Sequence, residues 1–222
     1  MDRLNNMIII LFLFIFAQIL TVKLAIASEI NINTKAISAL CEKNFTIEEK
    51  VSGIPKHLLH AISLKETGRW DQKAKKSFVW PWTVTSGKWS HYFESKENAI
   101  RAVNHLKTRN IENIDVGCMQ INLKYHPNAF KTLDDAFNPK LNIKYGAKYL
   151  KELYLQKKSW SQAVSFYHSS NLVRGGKYKR KVITLWGRTR IEAANKKREK
   201  VKNLLKTIKL YKQSTNNNKQ QS

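Results

Sequence analysis

The chain has 222 residues and a formal net charge of +24 at pH 7. That length accommodates one domain of ordinary size plus tails rather than several domains. The excess of Lys and Arg predicts an anionic partner, such as nucleic acid, an acidic membrane face or a carboxylate-bearing cell wall. No Cys/His cluster has the spacing of zinc ligands, so we expect no metal site and no other cofactor.

An apolar leader opens the chain. Met1-Asp2-Arg3 precedes an apolar run over residues 7–22, and Ala25-Ile26-Ala27 follows it. A basic start, an apolar core and a small-x-small site predict a signal peptide over residues 1–27, cleaved after Ala27, and export to the periplasm. The alternative is an uncleaved membrane anchor, for which the run is slightly short.

Two helices are predicted next. Residues 35–51 have helical spacing, and Pro55 then suits the first turn of a second helix that Gly68 ends in a left-handed cap. Glu66 falls in the last turn of that second helix. Burial and the helix dipole would both raise its pKa, as a general acid working near neutral pH requires. The alternative is a solvated glutamate on a helix end.

An aromatic segment follows over residues 70–93. Residues 80–84 and 89–93 flank a glycine turn and predict a β-hairpin, in which Pro81 confines the first strand to an edge. The dense tryptophans, Trp82 among them, form either a small satellite core or a sugar-stacking surface beside Glu66.

The region after the hairpin is predicted to be helical around one polar loop. Ser95 caps a helix that runs to about Lys107. The loop over residues 113–122 carries amide side chains, whose donors and acceptors suit sugar hydroxyls and acetamido groups. Asn138-Pro139 opens the next helix, and Ser159 caps the one after it.

The C-terminal part is basic. Gly175-Gly176 is predicted to form a loop, and one or two basic helices are expected over residues 178–211. The Asn- and Gln-rich residues 214–222 are predicted to be disordered. This region either docks on an anionic wall polymer or membrane face, or is only a solvated helix of biased composition.

The chain has two cysteines, Cys41 and Cys118. We predict a Cys41–Cys118 disulfide, because in an oxidising compartment such a pair can form a bond that closes a long loop and restricts the unfolded chain. The alternative is two buried thiols that pack as small hydrophobic groups.

Four motifs follow one another in chain order: Glu66-Thr67, the Gly117–Asn122 element, the Asn138–Leu150 segment and Phe166-Tyr167-His168. In this order, over about residues 40–187, they resemble the soluble-type (SLT) lytic transglycosylases, relatives of goose-type lysozyme. The chain departs from the family pattern at three positions, where the family has Ser, Leu and Asn. These are Thr67, Cys118 and His168.

The resemblance implies a mainly α, lysozyme-like α+β fold with a small β-hairpin insertion, over residues 28–190, followed by a basic helical or disordered tail over 191–222. It implies cleavage of the β-1,4 bond between N-acetylmuramic acid and N-acetylglucosamine of peptidoglycan. Glu66 would be the single acid and base, the product would carry a 1,6-anhydro end, and Asp115 would not be catalytic. Tyr167 would donate a hydrogen bond near Glu66 or the scissile sugar.

The resemblance also assigns the sugar-binding groups. Gln120 and the backbone of 117–119 would hold the acetamido sugar, and Met119 would help to desolvate Glu66. The remaining substrate-binding expectations are Thr67, Asn122, His168, Gly117 and Trp82.

Two competing functions stay open. One is a muramidase on the same fold, in which water attacks in place of the C6 hydroxyl. The other is a non-catalytic, basic cell-wall-binding protein. Export argues against a nucleic-acid partner, and the sequence does not decide between wall remodelling, recycling and opening a gap for secretion or flagellar machinery.

Overall fold

Helices supply most of the structure, a computed structural model that describes residues 14–16, 18 and 34–220. The leader prediction falls almost entirely outside these residues. The helices are α1 (residues 34–52), α2 (Leu58–Thr67), α3 (Lys96–Thr108), α4 (Leu133–Ala136), α5 (Pro139–Lys157), α6 (Trp160–His168) and α7 (Leu172–Gln220). No helix in the described ranges is both long enough and apolar enough to cross a membrane.

Two small antiparallel sheets complete the fold. The strands are β1 (Arg69–Asp71), β2 (Lys76–Phe78), β3 (Thr83–Ser86), β4 (Trp89–Tyr92), β5 (Asp115–Val116) and β6 (Ile121–Asn122). β1 pairs with β2, and the other four form a sheet in the order β4-β3-β5-β6. The mainly helical fold with a small β insertion that the sequence predicts is therefore confirmed.

The predicted hairpin is present as β3 and β4. Two predictions in this region were wrong: the edge position of the first strand, and the irregular loop over residues 113–122. Pro81 precedes β3, which pairs with β4 on one side and β5 on the other, so β3 is not an edge strand. Residues 113–122 contain the β5–β6 hairpin rather than an irregular loop, because Gly117 and Gln120 adopt the positive φ angles, 79° and 47°, that close a tight turn.

The core has two parts. The larger lies between α1, α2, α5, α6 and α7, and the smaller lies between the four-stranded sheet, α3 and α4. A disulfide joins Cys41 of α1 to Cys118 of the β5–β6 turn, as the sequence predicts, and closes a loop with a sequence separation of 77 residues. Both cysteines are fully buried, so the bond connects the helical core to the sheet.

α2 begins later than the sequence predicts. Its first residue is Leu58, and Pro55 lies in the preceding turn. His57, at φ 69°, leads into the helix without a side-chain cap of its own. Instead the buried carboxylate of Glu49 from α1 accepts hydrogen bonds from the backbone N–H groups of His57 and Leu59 at 2.8 and 2.9 Å. A group from another helix therefore satisfies the free donors of α2.

Gly68 ends α2, but not in the left-handed conformation that we expect. Its φ and ψ are −64° and 104°, an extended conformation. A Cβ at this position would lie 2.3 Å from the carbonyl oxygen of Leu64. Close backbone approach, not a positive φ, therefore requires glycine here.

The caps of the later helices are confirmed. The side chains of Ser95, Asn138 and Ser159 accept hydrogen bonds from the first-turn N–H groups of α3, α5 and α6. These local signals satisfy donors that the helices leave free.

The predicted loop at Gly175-Gly176 was wrong, because both glycines lie inside α7. A Cβ on Gly175 would lie 2.6 Å from Ser165 Oγ and 2.7 Å from the Ser165 carbonyl oxygen of α6. Glycine therefore allows close packing of two helices here. α7 continues without a break past residue 190 and through residues 214–220, which the composition predicts to be disordered; extending an existing helix costs less than starting one.

Replacing each of the two neighbouring glycines by alanine tests this packing. Gly175→Ala should lower the free energy of unfolding by about 1–3 kcal/mol, because the methyl group meets the α6 backbone. Gly176→Ala, where only Arg180 Nη1 lies within contact distance at 4.0 Å, should raise it by about 0.5–1 kcal/mol through better helix propensity. Urea unfolding measures both, and equal effects of the two substitutions would contradict the packing argument.

Candidate active site

Glu66 lies in the last turn of α2 and lines a cleft of about 970 Å³. Its side chain is partly exposed to that cleft. Desolvation by the surrounding protein raises the pKa of the carboxyl from 4.5 to about 7, against the lowering effects of the nearby Tyr178 hydroxyl and the charge of Lys65. A carboxyl with this pKa exchanges a proton readily near neutral pH.

The far side of α2 holds Glu66 in place. Ser63 and Thr67 are fully buried. Ser63 Oγ donates to the carbonyl oxygen of Cys118 at 2.7 Å, and the N–H of Trp80 donates to Thr67 Oγ1 at 3.3 Å. Thr67 therefore connects α2 to the segment before β3. It does not line the cleft, contrary to its expected role in binding sugar.

The turn between β5 and β6 is fixed by one buried amide, Asn142 of α5. Its Oδ1 accepts from the N–H of Met119 at 2.8 Å, and its Nδ2 donates to the carbonyl oxygens of Val116 and Ala136 at 3.0 and 2.9 Å. A Cβ on Gly117 would lie 2.3 Å from Asn142 Nδ2. Gly117 thus allows the amide to approach and, like the fully buried Met119, does not line the cleft.

Gln120 does line the cleft, as the sequence predicts. Its Nε2 donates to the carbonyl oxygens of Thr83 and Gly117, both at 3.1 Å. Part of the amide is therefore used to hold the positive-φ turn to β3. This fixes the position of Gln120 before any ligand binds.

Asn122 also lines the cleft, and its amide holds Asp115, another residue of the cleft, by a hydrogen bond. Its Nδ2 donates to Asp115 Oδ1 at 2.9 Å and to Asn113 Oδ1 at 2.7 Å. Its Oδ1 accepts from the N–H groups of Lys124 and Tyr125, each at 3.0 Å. With both ends of the amide occupied, Asn122 positions Asp115 and the following chain.

Asp115 is a second carboxyl in the same cleft. Desolvation raises its pKa, and the hydrogen bond from Asn122 lowers it. Its negative charge also raises the pKa of Glu66, so the two groups interact. The family resemblance implies that Asp115 is not catalytic, and β5 nevertheless brings this residue to the cleft.

Tyr167 lines the cleft, but its hydroxyl donates to the carbonyl oxygen of Met119 at 3.0 Å. The hydroxyl proton of Tyr167 is therefore already engaged in a hydrogen bond and is not directed at Glu66. The negative charge of Glu66 contributes to raising the pKa of Tyr167, after desolvation, so the two groups are near each other.

The tyrosine whose hydroxyl lies near Glu66 is Tyr178 of α7, which none of the sequence motifs includes. It is 3% exposed, and within the described residues its hydroxyl reaches no partner at ordinary hydrogen-bond geometry. It is nevertheless close enough to lower the pKa of Glu66 by hydrogen bonding. Such bonds are often long before substrate binds, so we regard Tyr178 as a donor held ready for the carboxylate.

His168 lines the cleft and supports Tyr178. The two rings stack with centroids 4.5 Å apart and planes 5° apart. Desolvation, together with the charges of Lys65 and Arg174, lowers the pKa of the imidazole. The spacing of Tyr178 and Val182, four residues apart and so on one side of a helix, is the sequence signal that could have identified this tyrosine.

The tryptophans do not form the expected sugar-stacking surface beside Glu66. Trp82 packs against the smaller core, so its satellite-core interpretation is the correct one. The hairpin contributes polar groups to the cleft instead, and the aromatic lining comes from elsewhere, including Tyr125, which is 71% exposed. The lining residues of the hairpin are Thr85, Gly87, Lys88 and Ser90.

The cleft thus combines a partly protonated carboxyl, a hydroxyl aimed at it, a second carboxyl, amide groups and exposed aromatic rings. Within the described ranges, no group of three or more His, Cys, Asp or Glu side chains could hold a metal ion. The arrangement suits proton transfer to and from a polar, sugar-like ligand.

A comparison with protein-family models matches residues 43–181 to the family described as the transglycosylase SLT domain. No curated protein and no solved structure matches the chain. The matched segment covers more than half of the chain and includes every residue of the cleft described above.

The raised pKa of Glu66 has a consequence for stability. Its folded-state pKa of about 7, against 4.5 when unfolded, means that the folded protein holds this proton more tightly. The corresponding stability is fully present below pH 4.5 and is lost as the pH rises through about 7, for a total of at most about 3 kcal/mol. Glu66→Gln cannot ionise and avoids this loss.

Denaturant unfolding of wild type and Glu66→Gln across this pH range tests the point. The variant should gain stability relative to wild type as the pH rises, up to about 3 kcal/mol above pH 7. The other titrating groups are common to both proteins and cancel in the difference. A difference that stays constant with pH would show that Glu66 has an ordinary pKa.

Proposed function

The chain belongs to the transglycosylase SLT family, which acts on the glycan strands of peptidoglycan, and from this premise we propose that it is an exported lytic transglycosylase. In the proposed reaction it cleaves the β-1,4 bond between N-acetylmuramic acid and N-acetylglucosamine. The observation that carries the proposal is a single carboxyl, Glu66, with a pKa of about 7 in a cleft large enough for a glycan.

The proposed reaction uses Glu66 twice. Protonated Glu66 first gives its proton to the glycosidic oxygen, and the bond from that oxygen to C1 of the muramic sugar breaks. The Glu66 carboxylate then takes the proton of the C6 hydroxyl, and the C6 oxygen bonds to C1. The product is a 1,6-anhydro sugar, no water is consumed, and Glu66 regains its proton.

Both halves of this cycle depend on the pKa of Glu66. A group with a pKa near the working pH is a good proton donor when protonated and a useful base when ionised. A carboxyl with the ordinary value of 4.5 would be almost wholly ionised at neutral pH and would donate poorly.

Neighbouring groups support the ionised state once it forms. The nearby Tyr178 hydroxyl, as a donor, and the positive charge of Lys65 both favour the carboxylate of Glu66. Because hydrogen bonds to charged acceptors are stronger than neutral ones, the Tyr178 contact should shorten after the first proton transfer. Gln120, Tyr167 and His168 line the cleft around this point.

Asp115 supports a second candidate function, a muramidase on the same fold. Glycosidases that use water commonly need two carboxylates, and Asp115 lines the same cleft and interacts electrostatically with Glu66. In that reaction Asp115 would stabilise the positive charge that develops on the sugar, and water would attack C1.

Export is supported by the composition of residues 1–27 and by the Cys41–Cys118 disulfide, since disulfides persist in oxidising compartments. Peptidoglycan lies outside the cytoplasm, so the proposed substrate and the proposed location agree.

Product analysis tests the reaction directly. Purified peptidoglycan is digested with wild type, Glu66→Gln and Asp115→Asn, with the exposed Glu94→Gln as control, and the products are identified by mass. Wild type should release muropeptides lighter by one water than hydrolysis products, and Glu66→Gln should release none. Near-normal release by Glu66→Gln would refute the assignment, and products at the hydrolytic mass that Asp115→Asn abolishes would favour the muramidase.

The pH dependence of the reaction tests which tyrosine serves Glu66. The rate should fall on the alkaline side with a midpoint near pH 7, as Glu66 loses the proton that it must donate. Tyr178→Phe removes a hydrogen bond to the carboxylate, so that midpoint should move to higher pH.

Tyr167→Phe is the matched control, because its hydroxyl donates to the Met119 carbonyl oxygen. Whatever its effect on the rate, Tyr167→Phe should leave the midpoint in place. A midpoint that moves in Tyr167→Phe and not in Tyr178→Phe would reverse the roles assigned to the two tyrosines.

A further inference from the structure

Every side chain of residues 196–213, the outer segment of α7, is exposed. Unpacked helices of this length are only marginally stable in water, because tertiary contacts supply most helix stability in proteins. Within this segment, the apolar side chains of residues 198–210 are therefore not covered by either part of the domain core.

The outer segment has an apolar stripe. Val201, Leu204, Leu205 and Ile208 follow the spacing i, i+3, i+4, i+7, which places them along one side of the helix. All four are exposed, Leu205 to 61%. A stripe of this kind needs an apolar environment, which a soluble polymer chain does not provide.

Positive charge surrounds the stripe. The outer segment carries eight Lys and Arg residues and a single acidic residue, Glu199. Lys and Arg can cover apolar surface with their aliphatic stems while the charged ends reach polar groups. A helix with one apolar face and a strongly basic remainder is the type that lies in the interface of an anionic bilayer.

A second copy of the chain fits this surface poorly. Two such helices would bring their positive charges together, which is repulsive. The apolar stripe also spans only residues 201–208, little more than one heptad, whereas a coiled coil needs at least three or four heptads. A wall polymer would satisfy the charges but leave the stripe in water.

We propose that the outer segment of α7 binds the surface of an anionic phospholipid bilayer. The helix lies parallel to the bilayer, with the stripe in the boundary between headgroups and acyl chains and the Lys and Arg residues at the lipid phosphates. This inference does not depend on the proposed reaction, because it uses no residue of the cleft. It selects one of the three roles that the sequence leaves open for the basic region.

The chain contains a matched control for this proposal. Leu210 is 58% exposed, close to the value for Leu205, but lies on the opposite side of the helix, nine residues after Val201. Leu205→Ser and Leu210→Ser remove the same apolar group from the two sides. Neither residue touches the domain core, so both variants should fold.

Hydrogen exchange of the full chain tests the proposal, because it reports on the backbone amides of residues 196–213 separately from those of the apolar leader. Exchange of backbone amides in residues 196–213 is measured with vesicles of equal parts phosphatidylcholine and phosphatidylglycerol, and with vesicles of phosphatidylcholine alone. We expect slower exchange only with the anionic vesicles. Leu205→Ser should weaken that protection by about tenfold, whereas Leu210→Ser should leave it unchanged.

Three results would overturn the proposal. One is exchange in residues 196–213 that the anionic vesicles do not slow. The second is equal loss of protection in the two leucine variants, which would indicate attraction by charge alone. The third is protection without vesicles that rises with protein concentration, which would indicate pairing of two copies. Peptidoglycan digestion by Leu205→Ser should stay at the wild-type rate, so failure here and failure of the proposed reaction are distinguishable.

Discussion

The desolvation of one carboxyl is the constraint on which the site depends. Glu66 lies at the end of α2, surrounded by protein on most sides, and its pKa rises to about 7 because the charged form loses contact with water. Burying such a group is unfavourable for folding whenever it is ionised. In this fold the unfavourable burial occurs at Glu66. The Tyr178 hydroxyl and Lys65 lie close to its carboxyl and favour the negative charge when it forms.

The scaffold around Glu66 is built so that few of its parts can move. Ser63 connects α2 to the β5–β6 turn, and the amide of Asn142 holds the same turn from the other side. The Cys41–Cys118 disulfide joins that turn to α1. Three independent connections thus converge on one tight hairpin, from which Asp115, Gln120 and Asn122 line the same cleft as Glu66. A catalytic group is most effective when its surroundings are already arranged.

Local signals in the sequence predicted much of this architecture. Ser95 and Asn138 cap their helices as expected, and Glu66 lies at a helix end beside a cleft. The errors concern contacts between distant segments. The pair Gly175-Gly176 predicts a loop in the sequence, because the lack of space for a side chain at Gly175 is visible only once α6 packs against α7. A loop at this position also gives no reason to place Tyr178 near Glu66. In the structure α7 starts at Leu172, and Tyr178 on this helix lies next to Glu66.

The most direct test of this account is a measurement of the proton affinity of Glu66 itself. Carboxyl carbon chemical shifts of ¹³C-labelled glutamate are followed by NMR against pH, and the Glu66 signal is assigned by its absence in Glu66→Gln. We predict a titration midpoint of about 7. A midpoint near the ordinary value of 4.5 would show that the carboxyl is well hydrated and would contradict its proposed role as acid and base.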